Sequence, residues 1–146
     1  MTQIDKDKQR GLILIAEDDP DDRFLIEQAF QTSNFADSLF FVEDGEELLD
    51  YLFGRKQYST NGPTIPSCIV LDLKMPRKDG REALQEIKQN PEYANLPILV
   101  YSTSDSEHDI QYCSNLGISD YMKKPDSFSG ILGLVEKVKG VCFSAL

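Results

Sequence analysis

Acidic side chains follow two separate apolar segments of the chain. In GLILIAEDDPDDRF, residues 11–24, Glu17 and Asp18 come directly after the apolar run, and in CIVLDLKMPRKDG, residues 68–80, Asp72 follows another. If both runs are neighbouring parallel strands, the three carboxylates meet at one edge of the sheet. Two unit charges about 4 Å apart repel by roughly 4 kcal/mol at an effective dielectric constant of 20. Such a cluster needs positive charge, and ligands that are all oxygen favour Mg²⁺.

Positive charge and hydroxyl groups follow two further apolar segments. The stretch YMKKPD contains Lys123 and Lys124, and because side chains alternate along a strand only one of them can face the acids. We predict that this one is Lys124. The stretch ILVYSTSD ends in the hydroxyls of Ser102, Thr103 and Ser104. Ser102 is the residue that we expect to bind a phosphate oxygen, and we interpret the other two as loop or capping residues.

These residue types indicate phosphoryl transfer rather than nucleotide binding. They supply a carboxylate nucleophile, a pair of acids that could bind a metal ion, an ammonium and a hydroxyl. The sequence has no Gly-rich phosphate loop. A protein carboxylate can form an aspartyl phosphate, and a metal ion with a lysine offsets the charge on the moving phosphoryl group. Asp72 is the predicted acceptor. We interpret Asp19, Asp21 and Asp22, which surround Pro20, as residues of a helix start that complement its macrodipole.

Short apolar runs alternate with longer segments of helical period, which is typical of a parallel sheet covered by helices on both faces. The predicted strands are Leu12–Ala16, Ser38–Val42, Cys68–Leu71, Ile98–Tyr101 and Ser119–Met122. Helices are predicted around Leu25–Phe30 and Leu48–Phe53, over Asp79–Gln89 and Ser106–Asn115, and from Asp126 or Ser127 onward. The polar segment Gly54–Ser67 is predicted to be a surface loop or an insertion.

This order of elements predicts an α/β fold with a doubly wound, five-stranded parallel sheet, in which right-handed crossovers and a reversal of the winding permit the first and third strands to be neighbours. Sites in such sheets form beyond the carboxyl ends of the strands, where the winding reverses. We expect one domain over residues 11–140, a flexible segment over 1–10 and a tail over 141–146. Apolar residues in the tail suggest a homodimer contact.

The bulk composition excludes several classes of partner. The formal net charge is −10 and the pI is near 4.5, so nucleic acid and anionic membranes would be repelled. No apolar run is long enough to cross a bilayer, and residues 1–10 lack the apolar centre of a secretion signal, so we predict a cytoplasmic protein. Three widely spaced cysteines argue against a disulfide framework and a zinc site.

Five separated motifs resemble those of the receiver domain of bacterial two-component response regulators: AEDD, VEDGEELL, LDLKMPRKDG, VYSTS and SDYMKKP. The resemblance covers nearly the whole chain and implies a flavodoxin-like (CheY-like) fold with the strand order 2-1-3-4-5. It further implies that Asp72 is the phosphoacceptor and that Lys124 and Ser102 assist the transfer. Mg²⁺ would be bound by Asp18, Asp72, the backbone carbonyl of Lys74 and, through water, Glu17. The resemblance also implies that Ser102 and Tyr121 are the switch residues and that a cis peptide precedes Pro125.

A finer pattern, EDDPDDRFLIEQAF with DYLFGR and the long loop, resembles the single-domain subgroup that works with bacterial phytochrome-type histidine kinases. The resemblance implies a phosphoacceptor switch rather than an enzyme, with a sensor histidine kinase upstream and a protein target downstream. Two alternatives stay open. One is a small phosphatase with Asp72 as nucleophile, although Lys74 occupies the position of the second acid of such enzymes. The other is an adaptor that binds partners without phosphorylation.

Overall fold

A computed structural model describes residues 12–34, 39–60 and 64–143 of the chain. Within them lie five parallel strands: β1 (Ile13–Ala16), β2 (Leu39–Val42), β3 (Cys68–Leu71), β4 (Ile98–Ser102) and β5 (Asp120–Lys123). Their order across the sheet is β2-β1-β3-β4-β5, which confirms the predicted fold class and strand order. Predicted and observed strand ends differ by at most one residue, and residues 1–10 and Ser38 lie outside the described residues.

Five α-helices accompany the strands in the described residues: α1 (Pro20–Thr32), α2 (Gly45–Phe53), α3 (Gly80–Gln89), α4 (Glu107–Asn115) and α5 (Phe128–Phe143). The side chains that cap α1 to α4 by accepting free backbone amides are Asp19, Asp44, Asp79 and Ser106. Before α5, the Oγ of Ser127 accepts the amide of Gly130 at 3.2 Å. These caps agree with the predicted helix starts near Asp79, Ser106 and Ser127. Helix α2 was predicted only from its apolar face and begins three residues before Leu48.

Helix α5 continues beyond the boundary that we predicted at Gly140. Val141 and Cys142 pack against the apolar core below α1 and α5. The first residues of the predicted tail therefore belong to the folded domain, and residues 144–146 lie outside the described residues.

The sheet is buried on both faces because successive side chains of a strand point to opposite sides. In β1, Leu14 and Ala16 lie in the core below α2, α3 and α4, whereas Ile13 and Ile15 lie in the core below α1 and α5. Burial on both sides explains the uninterrupted apolar runs in the sequence. A helix able to cross a bilayer is absent from the part of the chain that the structure describes.

Interstrand hydrogen bonds continue past the carboxyl ends of the strands. The amide of Glu17 donates to the last residue of β2 at 3.0 Å, and the amide of Asp72 donates to the last residue of β1 at 3.1 Å. The amide of Lys124 donates to the carbonyl of Ser102 at 2.7 Å. These bonds fix the backbone of all four residues at one edge of the sheet.

The predicted surface loop over residues 54–67 is attached to helix α2. Gly54 ends α2 with a φ of 65°, a conformation that favours glycine. Lys56–Tyr58 form a short 3-10 helix, and the hydroxyl of Tyr58 donates to Glu47 of α2 at 2.6 Å. The first part of the loop therefore lies against the domain.

Candidate functional site

Three carboxylates converge beyond the ends of β1 and β3. One oxygen from each of Glu17, Asp18 and Asp72 lies within 4.8 Å of the others. Glu17 and Asp72 are buried and Asp18 is exposed. The convergence that the sequence predicts is therefore present, with one acid open to solvent.

Lys124 supplies the positive charge of the site. Its Nζ lies 2.9 Å from Glu17 Oε1, 2.7 Å from Asp22 Oδ2 and 3.1 Å from Asp72 Oδ2, and its side chain is only 11% exposed. Lys123 instead pairs with Asp105 at 3.1 Å in solvent. The prediction that Lys124 faces the acids is confirmed.

Two details at this edge differ from the sequence analysis. Asp22, which we interpreted only as a helix-start residue, contacts Lys124. The signal that could have found it is its position in the first turn of α1, which begins at the edge where the strands end.

The peptide before Pro125 is trans, so the prediction of a cis peptide was wrong. The trans form of such bonds is favoured by about 0.5–1 kcal/mol, and Lys124 reaches the acids with it.

The charges of the site do not balance among the residues that the structure describes. Lys124 contacts the carboxylates of Glu17, Asp22 and Asp72, and the carboxylate of Asp18 lies beside two of these. Burial, followed by repulsion from Asp72, raises the pKa of Glu17 to about 7, although Lys124 opposes the shift. Burial lowers the pKa of Lys124, but hydrogen bonds to Asp22 and Glu17 more than offset this and raise it above its usual value. A divalent cation with oxygen ligands fits this excess of negative charge.

The side chain of Asp72 has a defined orientation. Its Oδ1 accepts the backbone amide of Lys74 at 3.2 Å, and its Oδ2 accepts the ammonium of Lys124 at 3.1 Å. A Cβ on Gly80 would overlap the carbonyl oxygen of Asp72 and lie 2.7 Å from the Cα of Leu73. Glycine at position 80 therefore lets helix α3 begin directly against the segment that carries the predicted acceptor.

The loop from β3 to α3, residues 72–79, is anchored to the start of α2. Arg77 has a φ of 62°, a conformation that favours glycine, and its Nε donates to the buried carboxylate of Asp44 at 2.7 Å. The amide of Gly45 donates to the carbonyl of Lys78 at 2.8 Å. These contacts hold the segment that includes Lys74. Sequence reasoning missed the Asp44–Arg77 pair because 33 residues separate its members.

The predicted switch residues meet at Ser104. Ser102 is fully buried at the end of β4, and its Oγ accepts the amide of Ser104 at 3.2 Å. The hydroxyl of Tyr121 donates to the carbonyl of Ser104 at 2.8 Å. Ser104, which we interpreted as a loop or capping residue, thus links the two.

A half-buried ion pair adjoins Ser104. The buried carboxylate of Asp109 accepts Nε of Arg81 at 2.7 Å, Nη2 of Arg81 at 2.8 Å and the hydroxyl of Ser104 at 2.6 Å. Sequence reasoning missed the ion pair, because 28 residues separate Arg81 from Asp109 and no local pattern relates them.

Comparison with known proteins decides the family of the chain. The family model described as response regulator receiver domain matches residues 13–136. The chain belongs to this family. Response regulator Rcp1 of Synechocystis sp. is 33% identical to this receiver domain over 135 residues, which cover 92% of this chain and 90% of Rcp1.

Two solved structures resemble the receiver domain in fold. One is the phosphorylated cyanobacterial phytochrome response regulator RcpA, with a TM-score of 0.82, 33% identity, and coverage of 93% of this chain and 96% of RcpA. The other is the Mn²⁺-bound form of Rcp1, with a TM-score of 0.82, 32% identity and the same coverage. Relatives of this receiver domain have thus been observed with a phosphoryl group and with a divalent cation.

Replacing Asp109 of the receiver domain with asparagine is expected to lower the free energy of unfolding by about 1–3 kcal/mol at neutral pH, because it weakens charge-assisted hydrogen bonds in a buried place. The hydrogen bonds from Arg81, opposed by burial, hold the pKa of Asp109 well below its usual range. The stabilisation is therefore present above about pH 4, the usual pKa of an unfolded aspartate, and is lost as the pH falls toward the folded-state pKa.

Urea unfolding of both proteins from neutral to acidic pH measures this difference. Asp105→Asn is the matched control, since it removes the same charge from an exposed pair four residues earlier. Its effect should be much smaller. A stability difference for Asp109→Asn that stays constant at all pH values would contradict the assignment.

Proposed function

We propose that this receiver domain is a switch that accepts a phosphoryl group on Asp72 from a sensor histidine kinase. The observation that carries the proposal is the ammonium of Lys124, 3.1 Å from Asp72 Oδ2, within a cluster that joins Asp72 to Glu17 and Asp18. Mg²⁺ fits the all-oxygen donor set, with Asp18, Asp72 and the carbonyl of Lys74 as ligands and Glu17 acting through water. The Mn²⁺-bound structure of the relative Rcp1 supports a divalent cation here.

In the transfer, an oxygen of Asp72 attacks the phosphorus of a phosphohistidine. The new oxygen–phosphorus bond forms as the phosphorus–nitrogen bond breaks, and the imidazole leaves with the bonding electrons and takes up a proton. Lys124 offsets negative charge on the phosphoryl oxygens, and the amide of Lys74 holds the carboxylate of Asp72 in place. When bound, Mg²⁺ would neutralise charge on the phosphoryl group.

The signal leaves the domain through Ser102 and Tyr121. In this proposal the hydroxyl of Ser102 contacts the phosphoryl group, and Tyr121 follows because both are joined to Ser104. Phosphorylation then changes the surface formed by α4, β5 and α5 and alters contacts with a downstream protein. The domain acts as a switch rather than an enzyme, and catalyses only its own phosphorylation and dephosphorylation.

Several finer features of the function belong to the same proposal. The likeness to the phytochrome response regulator RcpA supports a phytochrome-type kinase as the donor. The net charge of −10 supports protein partners rather than nucleic acid or an anionic membrane. The lack of an apolar run long enough to cross a bilayer supports action in the cytoplasm. A homodimer through apolar residues of the tail over 141–146 is also proposed. Val141, the first of these residues, packs within its own chain.

Intact-mass measurement after treatment with acetyl phosphate and Mg²⁺ tests the proposal. The wild type should gain one phosphoryl group per chain, and Asp72→Asn should gain none. Asp21→Asn is the matched control, because it removes an exposed acid from the start of α1, and it should be labelled like the wild type.

Equal labelling of wild type and Asp72→Asn would refute Asp72 as the acceptor. Steady turnover of a generic phosphate ester would favour the phosphatase alternative. Failure of the wild type to take up phosphate at any concentration of Mg²⁺ would favour an adaptor.

A further inference from the structure

Ser104 is held at three of its atoms. Its hydroxyl donates to Asp109 Oδ2 at 2.6 Å, its carbonyl accepts the hydroxyl of Tyr121 at 2.8 Å, and its amide donates to Ser102 Oγ at 3.2 Å. Ser104 therefore connects helix α4 and strand β5 to the side chain of Ser102.

Asp109, the acceptor of the Ser104 hydroxyl, is itself fixed in position. It is buried in the first turn of α4, its two oxygens accept Nε and Nη2 of Arg81, and its amide donates to Ser106 Oγ at 3.1 Å. Bidentate charge-assisted hydrogen bonds are short and directional. Asp109 therefore presents Ser104 with an acceptor that has one defined place, set by Arg81 on α3.

This arrangement decides what the hydroxyl of Ser102 can do. A serine hydroxyl has one proton and two acceptor lone pairs. Because the amide of Ser104 occupies an acceptor position of Ser102 Oγ, the proton of Ser102 is directed elsewhere. Ser102 ends β4, which pairs with the β3 strand that precedes Asp72. A phosphoryl oxygen on Asp72 is the acceptor that the proposed function would supply.

We propose that Arg81 and Asp109 are positioning residues for the phosphoryl group on Asp72. Through Ser104 they hold the hydroxyl of Ser102 in the orientation that donates to a phosphoryl oxygen. This inference rests on the proposed function and assigns a means of tuning it, namely the strength of the Asp109–Ser104 hydrogen bond. Asp109 acts through Ser104 rather than by contact with the phosphoryl group.

Calorimetric titration with beryllofluoride, a stable analogue of the phosphoryl group, measures the effect in the presence of Mg²⁺. Ser104→Ala and Asp109→Asn should each bind beryllofluoride about tenfold more weakly than the wild type, the size expected for a hydrogen bond to a charged group. Mg²⁺ affinity without beryllofluoride should be unchanged, because Asp18 and Asp72 are untouched. Ser104→Ala keeps the Arg81–Asp109 pair, so the test stands even if Asp109→Asn folds poorly.

The double variant tests whether the two residues act as one unit. If they do, Ser104→Ala combined with Asp109→Asn should bind beryllofluoride no more weakly than either single variant. The matched control is Asp105→Asn, which removes a charge from the same loop. Asp105 pairs with exposed Lys123 and not with Ser104 or Asp109 in the contacts described above. This variant should bind beryllofluoride like the wild type.

Four results would overturn the inference. The variants could bind beryllofluoride as tightly as the wild type, their losses could multiply in the double variant, Mg²⁺ affinity could fall in parallel, or Asp105→Asn could show the same loss. In all four cases the wild type still binds beryllofluoride, so the proposed function survives. A wild type that binds none would overturn the proposed function itself, and the positioning role with it.

Discussion

Replacing Lys124 with methionine is expected to tighten Mg²⁺ binding about tenfold, since the ammonium lies among the carboxylates that would hold the cation and repels it. The same change should slow phosphorylation of Asp72 about a hundredfold, because it removes a charge that offsets the phosphoryl oxygens. Methionine preserves most of the length of the side chain, so the loss of charge is isolated. Opposite effects on two steps at one site make this prediction specific.

Calorimetry for Mg²⁺ and a mass-based time course with acetyl phosphate measure the two effects. The titrations should be carried out above neutral pH. Lys124 lowers the pKa of Glu17, so removing its ammonium leaves the carboxyl of Glu17 more easily protonated. Lys123→Met is the matched control. It removes the same charge one residue earlier, from an exposed pair with Asp105, and should change neither quantity. Weaker Mg²⁺ binding by Lys124→Met would show that the ammonium and the cation do not compete.

Replacing Gly80 with alanine is expected to lower the free energy of unfolding by about 1–3 kcal/mol or more and to reduce the rate of phosphorylation. The new Cβ would overlap the carbonyl oxygen of Asp72 and lie 2.7 Å from the Cα of Leu73. Both neighbours are backbone atoms of the segment that carries the proposed acceptor, Asp72, so the overlap is relieved only if that segment or α3 moves. Movement of the segment displaces Asp72 from Lys124, and movement of α3 disturbs the hydrogen bond from the amide of Gly80 to the carbonyl of Leu73.

Gly140→Ala is the comparison for this change. It adds the same methyl group within helix α5, where the new Cβ meets nothing within 4 Å. Alanine favours a helix interior over glycine, so this variant should be more stable by about 0.5–1 kcal/mol. Urea unfolding of both variants, with phosphorylation measured in parallel, gives the test. Wild-type stability and labelling for Gly80→Ala would show that the close approach of α3 to Asp72 is unimportant.

The sequence by itself determined the fold and the edge at which the site lies. Strands buried on two faces appear as uninterrupted apolar runs. The first polar residue after each run, such as Glu17 or Asp72, marks the end of the strand and the edge of the sheet. Alternation along β5 likewise indicated that only one of Lys123 and Lys124 faces the site. Helix starts were readable for the same reason, since a cap such as Asp79 acts within one turn of chain. All these signals are local and periodic.

Only the tertiary structure decided which distant side chains meet. Asp22 lies 102 residues from Lys124 in the chain, and Arg81 lies 28 residues from Asp109. Whether such pairs form depends on the distances and angles at which helices pack on the sheet, and no periodic pattern in the chain records these. The trans peptide before Pro125 is of the same kind, because the small energy difference between its isomers leaves the choice to the surrounding structure.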